Sequence, residues 1–140
     1  VKAIREFAGD RAVLRAFHFF EENKRVDAEV EALEKKDFAT FFNKITESGD
    51  SSWKWLQNCY CNETPDEQSI TVALALTKLY LDKIGRGVCR VHGGGFAGVI
   101  AAFLPKEETE GFTKYIDKAL GEGSAYVMHI RPQGAVKVEF

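Results

Sequence analysis

The sequence predicts an α+β domain in which a four-stranded antiparallel sheet carries helices packed on one face. Two features of the hydrophobic pattern support this. Up to about residue 84 the apolar residues recur at helical spacing, and after Gly87 they switch to β-branched runs and strict alternation. Beyond that point the order is strand, strand, helix, strand, strand, and closely spaced sequential strands favour antiparallel pairing with helices to one side. A third feature is length. One hundred and forty residues suit one compact domain, with no internal repeat or low-complexity tract to divide it.

Residues 10–36 read as one long helix. Asp10 follows Gly9 as a candidate N-cap, and an apolar stripe of Val13, Phe17, Phe20, Val26, Val30 and Leu33 is expected to face the core. Phe38, Phe41, Phe42 and Ile45 define a second helix ending near Ser48 and Gly49. Asp50 or Ser51 is then expected to cap a short helix carrying Trp53, Trp55 and Leu56. Thr64-Pro65-Asp66-Glu67 has the form of a capping box with proline at the first helical position. The helix it opens would bury Ile70, Ala73, Leu74, Thr77, Leu81 and Ile84, and Gly85 is placed to end it in a left-handed conformation.

Residues 88–92 and 99–104 read as strands, with Pro105 ending the second. Residues 107–120 read as a helix with Phe112, Ile116 and Leu120 spaced for burial and Gly121 as its stop. Residues 125–130 are expected to form a third strand. Pro132-Gln133-Gly134 makes a turn, and Val136, Val138 and Phe140 alternate with Lys137 and Glu139 in a fourth.

Composition excludes several function classes. Nineteen basic and 21 acidic side chains leave a net charge of −2, whereas a nucleic-acid surface is usually markedly basic. The longest apolar run, 96–104, is about half of what a membrane span needs. Neither nucleic acid nor a membrane is therefore an expected partner. Three cysteines, Cys59, Cys61 and Cys89, cannot all pair and read as reduced thiols of a cytoplasmic protein. His18, His92 and His129 are too scattered to complete a zinc site with Cys59 and Cys61, so no metal site is expected. Position 1 is valine and the one methionine is Met128, which suggests residues that began inside a longer chain.

One segment is unusual in chemistry: His92-Gly93-Gly94-Gly95-Phe96-Ala97-Gly98. Four glycines in six positions exceed what a tight turn between strands requires. Such a cluster lets backbone approach another object closely, or aims consecutive N–H groups at an anion. The pattern is not a Walker loop, because Val99 and Ile100 stand where lysine and serine or threonine would follow. It also lacks the strand–loop–helix setting of a dinucleotide fingerprint. A purely structural turn or bulge is the competing reading.

Other polar residues suggest structure. His18 and Glu22, four apart with Arg15 nearby, form a candidate helix-face network. Trp53 and Trp55 could stack on a sugar but more often anchor a short helix. His92 could meet a phosphate or end its strand, and His129 sits within a predicted strand. No nucleophile–base grouping or acid–base carboxylate pair stands out.

Arg15-Ala16-Phe17-His18 with Glu22 matches an R-A-x-H-x-x-x-E helix, Glu47-Ser48 an E-S helix end, and the 89–98 segment a glycine-rich motif close to R-M-T-G-G-G-F-G-G. With the Arg131-Pro132 ending, their order and spacing make the chain resemble the C-terminal domain of galactokinases, members of the GHMP kinases, over nearly its whole length. His92 stands where that pattern usually has threonine, and Ala97 where it often has glycine. The alanine is expected to avoid strongly positive φ.

The resemblance implies a ferredoxin-like arrangement of the sheet and transfer of the γ-phosphoryl group of ATP, with Mg2+, to the C1 hydroxyl of galactose. It implies that Gly93, Gly94, Gly95, Phe96 and Gly98, with His92, form a loop contacting substrate or phosphate, and that none of these residues is catalytic. The family's P-x-x-x-G-L-x-S-S-A motif is absent from the 140 residues. The resemblance therefore assigns nucleotide binding and the catalytic aspartate to a missing N-terminal domain, and the chain alone is expected to be inactive. Two alternatives stay open: part of another GHMP kinase, or a non-catalytic sugar- and ATP-binding regulator. An apolar patch near the glycine loop, able to support a homodimer, is also expected.

Overall fold

The protein, seen here as a computed structural model describing residues 1–96 and 98–137, is α+β, with five α-helices and one antiparallel hairpin among the described residues. The helices are α1 (Lys2–Ala8), α2 (Asp10–Glu34), α3 (Phe38–Ser51), α4 (Ser69–Ile84) and α5 (Thr109–Leu120). The strands are β1 (Val88–His92) and β2 (Val99–Phe103). Their register pairs Val88 with Phe103 and His92 with Val99, so the glycine segment is the hairpin's connecting loop. The two strands lie where the period changes, and Gly85 ends α4 at φ 69° as its position predicts.

Among the described residues the sheet has two strands where four are expected. Residues 125–130 have no strand partner, and Tyr126, Met128 and Ile130 stand exposed, Ile130 at 90%. A strand needs a neighbour for its backbone groups, and among the described residues none pairs with this segment. His129 accordingly lies in an exposed, irregular segment. Residues 136 and 137 are also irregular, and the rest of the expected fourth strand, 138–140, lies outside the described residues.

Local signals in the helical half were partly misread. Asp10 is the first residue of α2, and Gly9 occupies the cap position. Asp37 caps α3, its carboxylate accepting from the Thr40 N–H at 3.0 Å. The short helix carrying Trp53, Trp55 and Leu56 is present as a π-helical turn, Ser52–Leu56, with Ser51 at its N-cap position; α3 runs straight into it, Ser51 makes no side-chain capping bond, and Gln57 at φ 56° ends it. Thr64 and Glu67 form a β-turn, with the Glu67 N–H donating to the Thr64 carbonyl at 3.0 Å, and α4 begins only at Ser69. Proline at the second position of a turn suits that geometry as well as it suits a helix start. Residues Lys106–Glu108 form a 3₁₀ turn before α5. The sequence pattern gave no sign of α1.

The core sits where α4 meets the hairpin, with Cys59, Ile70 and Val91 buried and Tyr60, Leu74 and Ile100 packed on them. Thr77 and Leu81 continue that face of α4, as its spacing predicts. Trp53 meets Tyr60 edge-on and Trp55 meets Phe17, which makes both tryptophans anchors of the π-helical turn. Phe112 and Tyr115 of α5 pack against Tyr80 of α4, and Ile116 is buried.

The largest departure concerns α2. Of the predicted core stripe only Val13 is buried, while Phe17, Phe20, Val26, Val30 and Leu33 are exposed. The face turned inward carries His18, Glu22, Arg25 and Ala32. Its partners on α3, Ser48 and Ser51, are small and polar, so the α2–α3 contact is a hydrogen-bonded seam.

Candidate functional site

The glycine loop closes the hairpin between β1 and β2, and its backbone departs from ordinary geometry. Gly93 and Gly95 have φ of 69° and 76°, and Phe96, with a side chain, is held at 60°. Gly94 lies between two left-handed glycines without being left-handed itself, and alternation of this kind is the backbone pattern of an anion-binding concavity. A left-handed phenylalanine costs about 1 kcal/mol or more, so something must hold it there.

That hold is Asn58. Its carbonyl accepts the Phe96 N–H at 2.6 Å, and its side-chain Nδ2 donates to the Gly94 carbonyl at 3.2 Å. Asn58 is 2% exposed, positioned by the π-helical turn and the left-handed Gln57 that precede it. A Cβ on Gly95 would lie 2.2 Å from the Asn58 carbonyl oxygen, so only glycine permits this approach. The Gly98 N–H donates to the Gly95 carbonyl at 3.1 Å, tightening the return to β2.

The rest of the loop is open. Nothing lies within 4 Å of where a Cβ would stand on Gly93 or Gly94. His92, Gly93, Gly94, Phe96 and Gly98 are exposed, while Gly95 is half-buried. All six predicted loop residues are therefore gathered in one place, and the Phe96 ring with neighbouring Val99 gives the loop an apolar border. Ala97 lies outside the described residues. Asn58 was not singled out in the sequence; its one signal is the need of any glycine-rich loop for a fixed object to approach.

The strand entering this loop is fixed by the seam. Arg90 of β1 donates from Nη1 to Glu22 Oε1 at 3.2 Å and from Nε to the Val91 carbonyl at 3.0 Å. Arg25 donates from Nε to Glu22 Oε2 at 2.9 Å, and Ser48 donates its hydroxyl proton to Glu22 Oε1. Burial alone would raise the Glu22 pKa, but the Ser48 and Arg25 hydrogen bonds and the charges of Arg90 and Arg25 together bring it below its ordinary value. His18 does not pair with Glu22 as predicted. Its Nδ1 lies 2.9 Å from Ser51 Oγ, and burial lowers its pKa despite the nearby Glu22 charge. Burial raises the Glu29 carboxyl, with Arg90 opposing and Glu22 adding to the effect.

A separate groove of about 350 Å³ runs between α3 and α4, walled by Trp53 and Leu74 and floored by Cys89, Arg90 and Val91. None of the described residues of the 92–98 loop lines it. Its Thr46 and Thr71 hydroxyls donate to the carbonyls of Phe42 and Cys59, so both hydroxyl protons are already used within the fold. Burial raises the Cys59 and Cys89 thiols, which does not favour the nucleophilic thiolate. Among the described residues no cluster of three or more histidine, cysteine, aspartate or glutamate side chains could hold a metal ion. No helix among the described residues is long and apolar enough to cross a membrane. No protein-family model, no curated protein and no solved structure matches this chain.

Proposed function

We propose that the chain is the C-terminal portion of a galactokinase-type GHMP kinase, a cytoplasmic enzyme that phosphorylates galactose at its C1 hydroxyl with ATP and Mg2+. The observation that carries this reading is the loop of alternating backbone handedness at Gly93–Gly95, open on its outer side and fastened by Asn58 on its inner side. The Gly93 and Gly94 backbone, with open space beside both residues, would suit a phosphate oxygen, while the Phe96 and Gly98 amides are spent on holding the loop's shape.

In this reading the loop's share of the work is positioning. Phosphoryl transfer depends mainly on holding the reactants in line and neutralising charge. Gly93, Gly94 and Gly95 offer backbone, His92 a neighbouring polar side chain, and Phe96 and Gly98 shape the far wall. The reading, resting on the family resemblance, assigns the metal's ligands, the nucleotide loop and the catalytic aspartate to a part of the protein upstream of these residues. It also assigns residues 125–130 and 136–140 to the remaining strands of a four-stranded, ferredoxin-like sheet.

Amide NMR of the chain titrated with inorganic phosphate, and then with MgATP, tests the loop. Saturable shifts centred on Gly93 and Gly94 are expected; no shift at these amides at millimolar ligand overturns the reading. In a coupled assay the chain alone is expected to phosphorylate no galactose, and turnover typical of a sugar kinase would contradict the assignment of catalytic groups elsewhere.

A further inference from the structure

A peptide N–H attracts an anion and a peptide carbonyl repels it, so a loop that holds phosphate has to sort the two. In the glycine loop they are sorted. The Gly94 carbonyl accepts from Asn58 Nδ2 at 3.2 Å, and the Gly95 carbonyl accepts from the Gly98 N–H at 3.1 Å. The Gly93 and Gly94 N–H groups have no hydrogen-bond partner among the described residues, and the space beside both glycines is open. One carbonyl is therefore tied by the loop itself, and the other by a residue 36 positions away.

Asn58 suits that task by its chemistry. A carboxamide offers two donors and an acceptor without a charge, whereas an ionised aspartate of the same size offers acceptors alone. The end that faces the loop is set from behind. Burial raises the Cys59 thiol, so it stays a donor, and its Sγ lies 3.9 Å from Asn58 Oδ1, which leaves the nitrogen to Gly94. The main chain here is equally committed: the Asn58 carbonyl holds the Phe96 N–H at 2.6 Å, and Gln57 turns the backbone at φ 56°. Asn58 is buried away from the open space, so whatever it does for a ligand it does through the loop.

We propose that Asn58 is the positioning residue that makes the loop selective for an anion: it holds the Gly94 carbonyl inward while the Gly93 and Gly94 amides stay free for a tetrahedral oxyanion such as phosphate. This rests on the phosphate-loop reading above and adds to it the group that decides the loop's polarity. Once released, the Gly94 carbonyl is free to turn toward the open side, where it opposes the charge that the amides attract. Asn58→Asp both releases it and adds a negative charge beneath the loop.

Amide NMR of the intact chain titrated with sulfate, whose charge is constant between pH 8 and 5, tests this. In the wild-type chain the Asn58 carboxamide signals should shift with the same saturation as the Gly93 and Gly94 amides. Carboxamide signals that stay fixed while those amides saturate overturn the proposal and leave the phosphate reading intact; no shift at any of them overturns both. Asn58→Ala, with circular dichroism confirming the fold, should bind at least about tenfold more weakly than wild type at every pH. Asn58→Asp should be as weak at pH 8 and recover toward wild type as its carboxyl takes up a proton and can donate again. Ile116→Val, a change in the buried face of α5, should leave sulfate affinity unchanged. Wild-type affinity in Asn58→Ala, no recovery in Asn58→Asp, or equal weakening in Ile116→Val would each overturn the positioning role.

Discussion

The α2–α3–β1 seam and the glycine loop both join segments far apart in the sequence, yet they do so with opposite materials. In the seam, long side chains converge on one carboxylate, Glu22, and charge does the holding. At the loop, backbone touches backbone because side chains are missing, and the absence of one Cβ at Gly95 lets the contact form. The first contact should respond to pH and to charge removal. The second should respond to volume and hardly to pH.

Substitutions can break this contrast at graded strength. Gly95→Ala should cost the most, about 3 kcal/mol by urea denaturation, because it adds overlap with Asn58 to a left-handed φ. Gly94→Ala is its control: open space and an ordinary φ predict a change within about 0.5 kcal/mol. Equal losses for the two would mean that the Asn58 contact does not hold the loop. Glu22→Gln comes next, at about 2 kcal/mol, since it leaves Arg25 and Arg90 without their counter-charge in a partly buried place. Asn58→Ala removes the bond to the Gly94 carbonyl but leaves the backbone bond to Phe96, for about 1.5 kcal/mol.

The smallest expected effect is a pH dependence. His18 has its folded pKa lowered, so the unfolded chain takes up a proton first as pH falls. The stability it contributes is complete above the unfolded value of about 6.5 and is lost progressively below it. Glu22, also lowered, contributes above its unfolded value of about 4.3 and loses that contribution as pH falls through its folded pKa. Stability measured between pH 7 and 5 should therefore fall by less than about 1 kcal/mol, and His18→Gln should flatten that slope. A slope unchanged in His18→Gln would show that another group sets it.

The sequence was most legible where one residue type decides the outcome. Gly85 and Gly121 mark helix ends and Pro105 a strand end, and the β-branched runs located both strands of the hairpin. The six loop residues were found because four glycines so close together have few other uses. Where two physical readings share one pattern, sequence reasoning chose wrongly. Thr64-Pro65-Asp66-Glu67 serves a turn as well as a cap. On α2 the apolar residues were assigned inward because burial is their usual fate, but Ser48 and Ser51 of α3 had already made the inner contact a polar one. Asn58 escaped notice because its role depends on a loop 36 residues away.

Cys59 follows Asn58 directly and is buried against Ile70 and Val91. Its neighbour grips the hairpin loop, so any motion that lets the loop go also loosens the wall around this thiol. The molecule thus carries an internal gauge: the rate at which a small alkylating reagent reaches Cys59 reports how often the grip relaxes, with no label added.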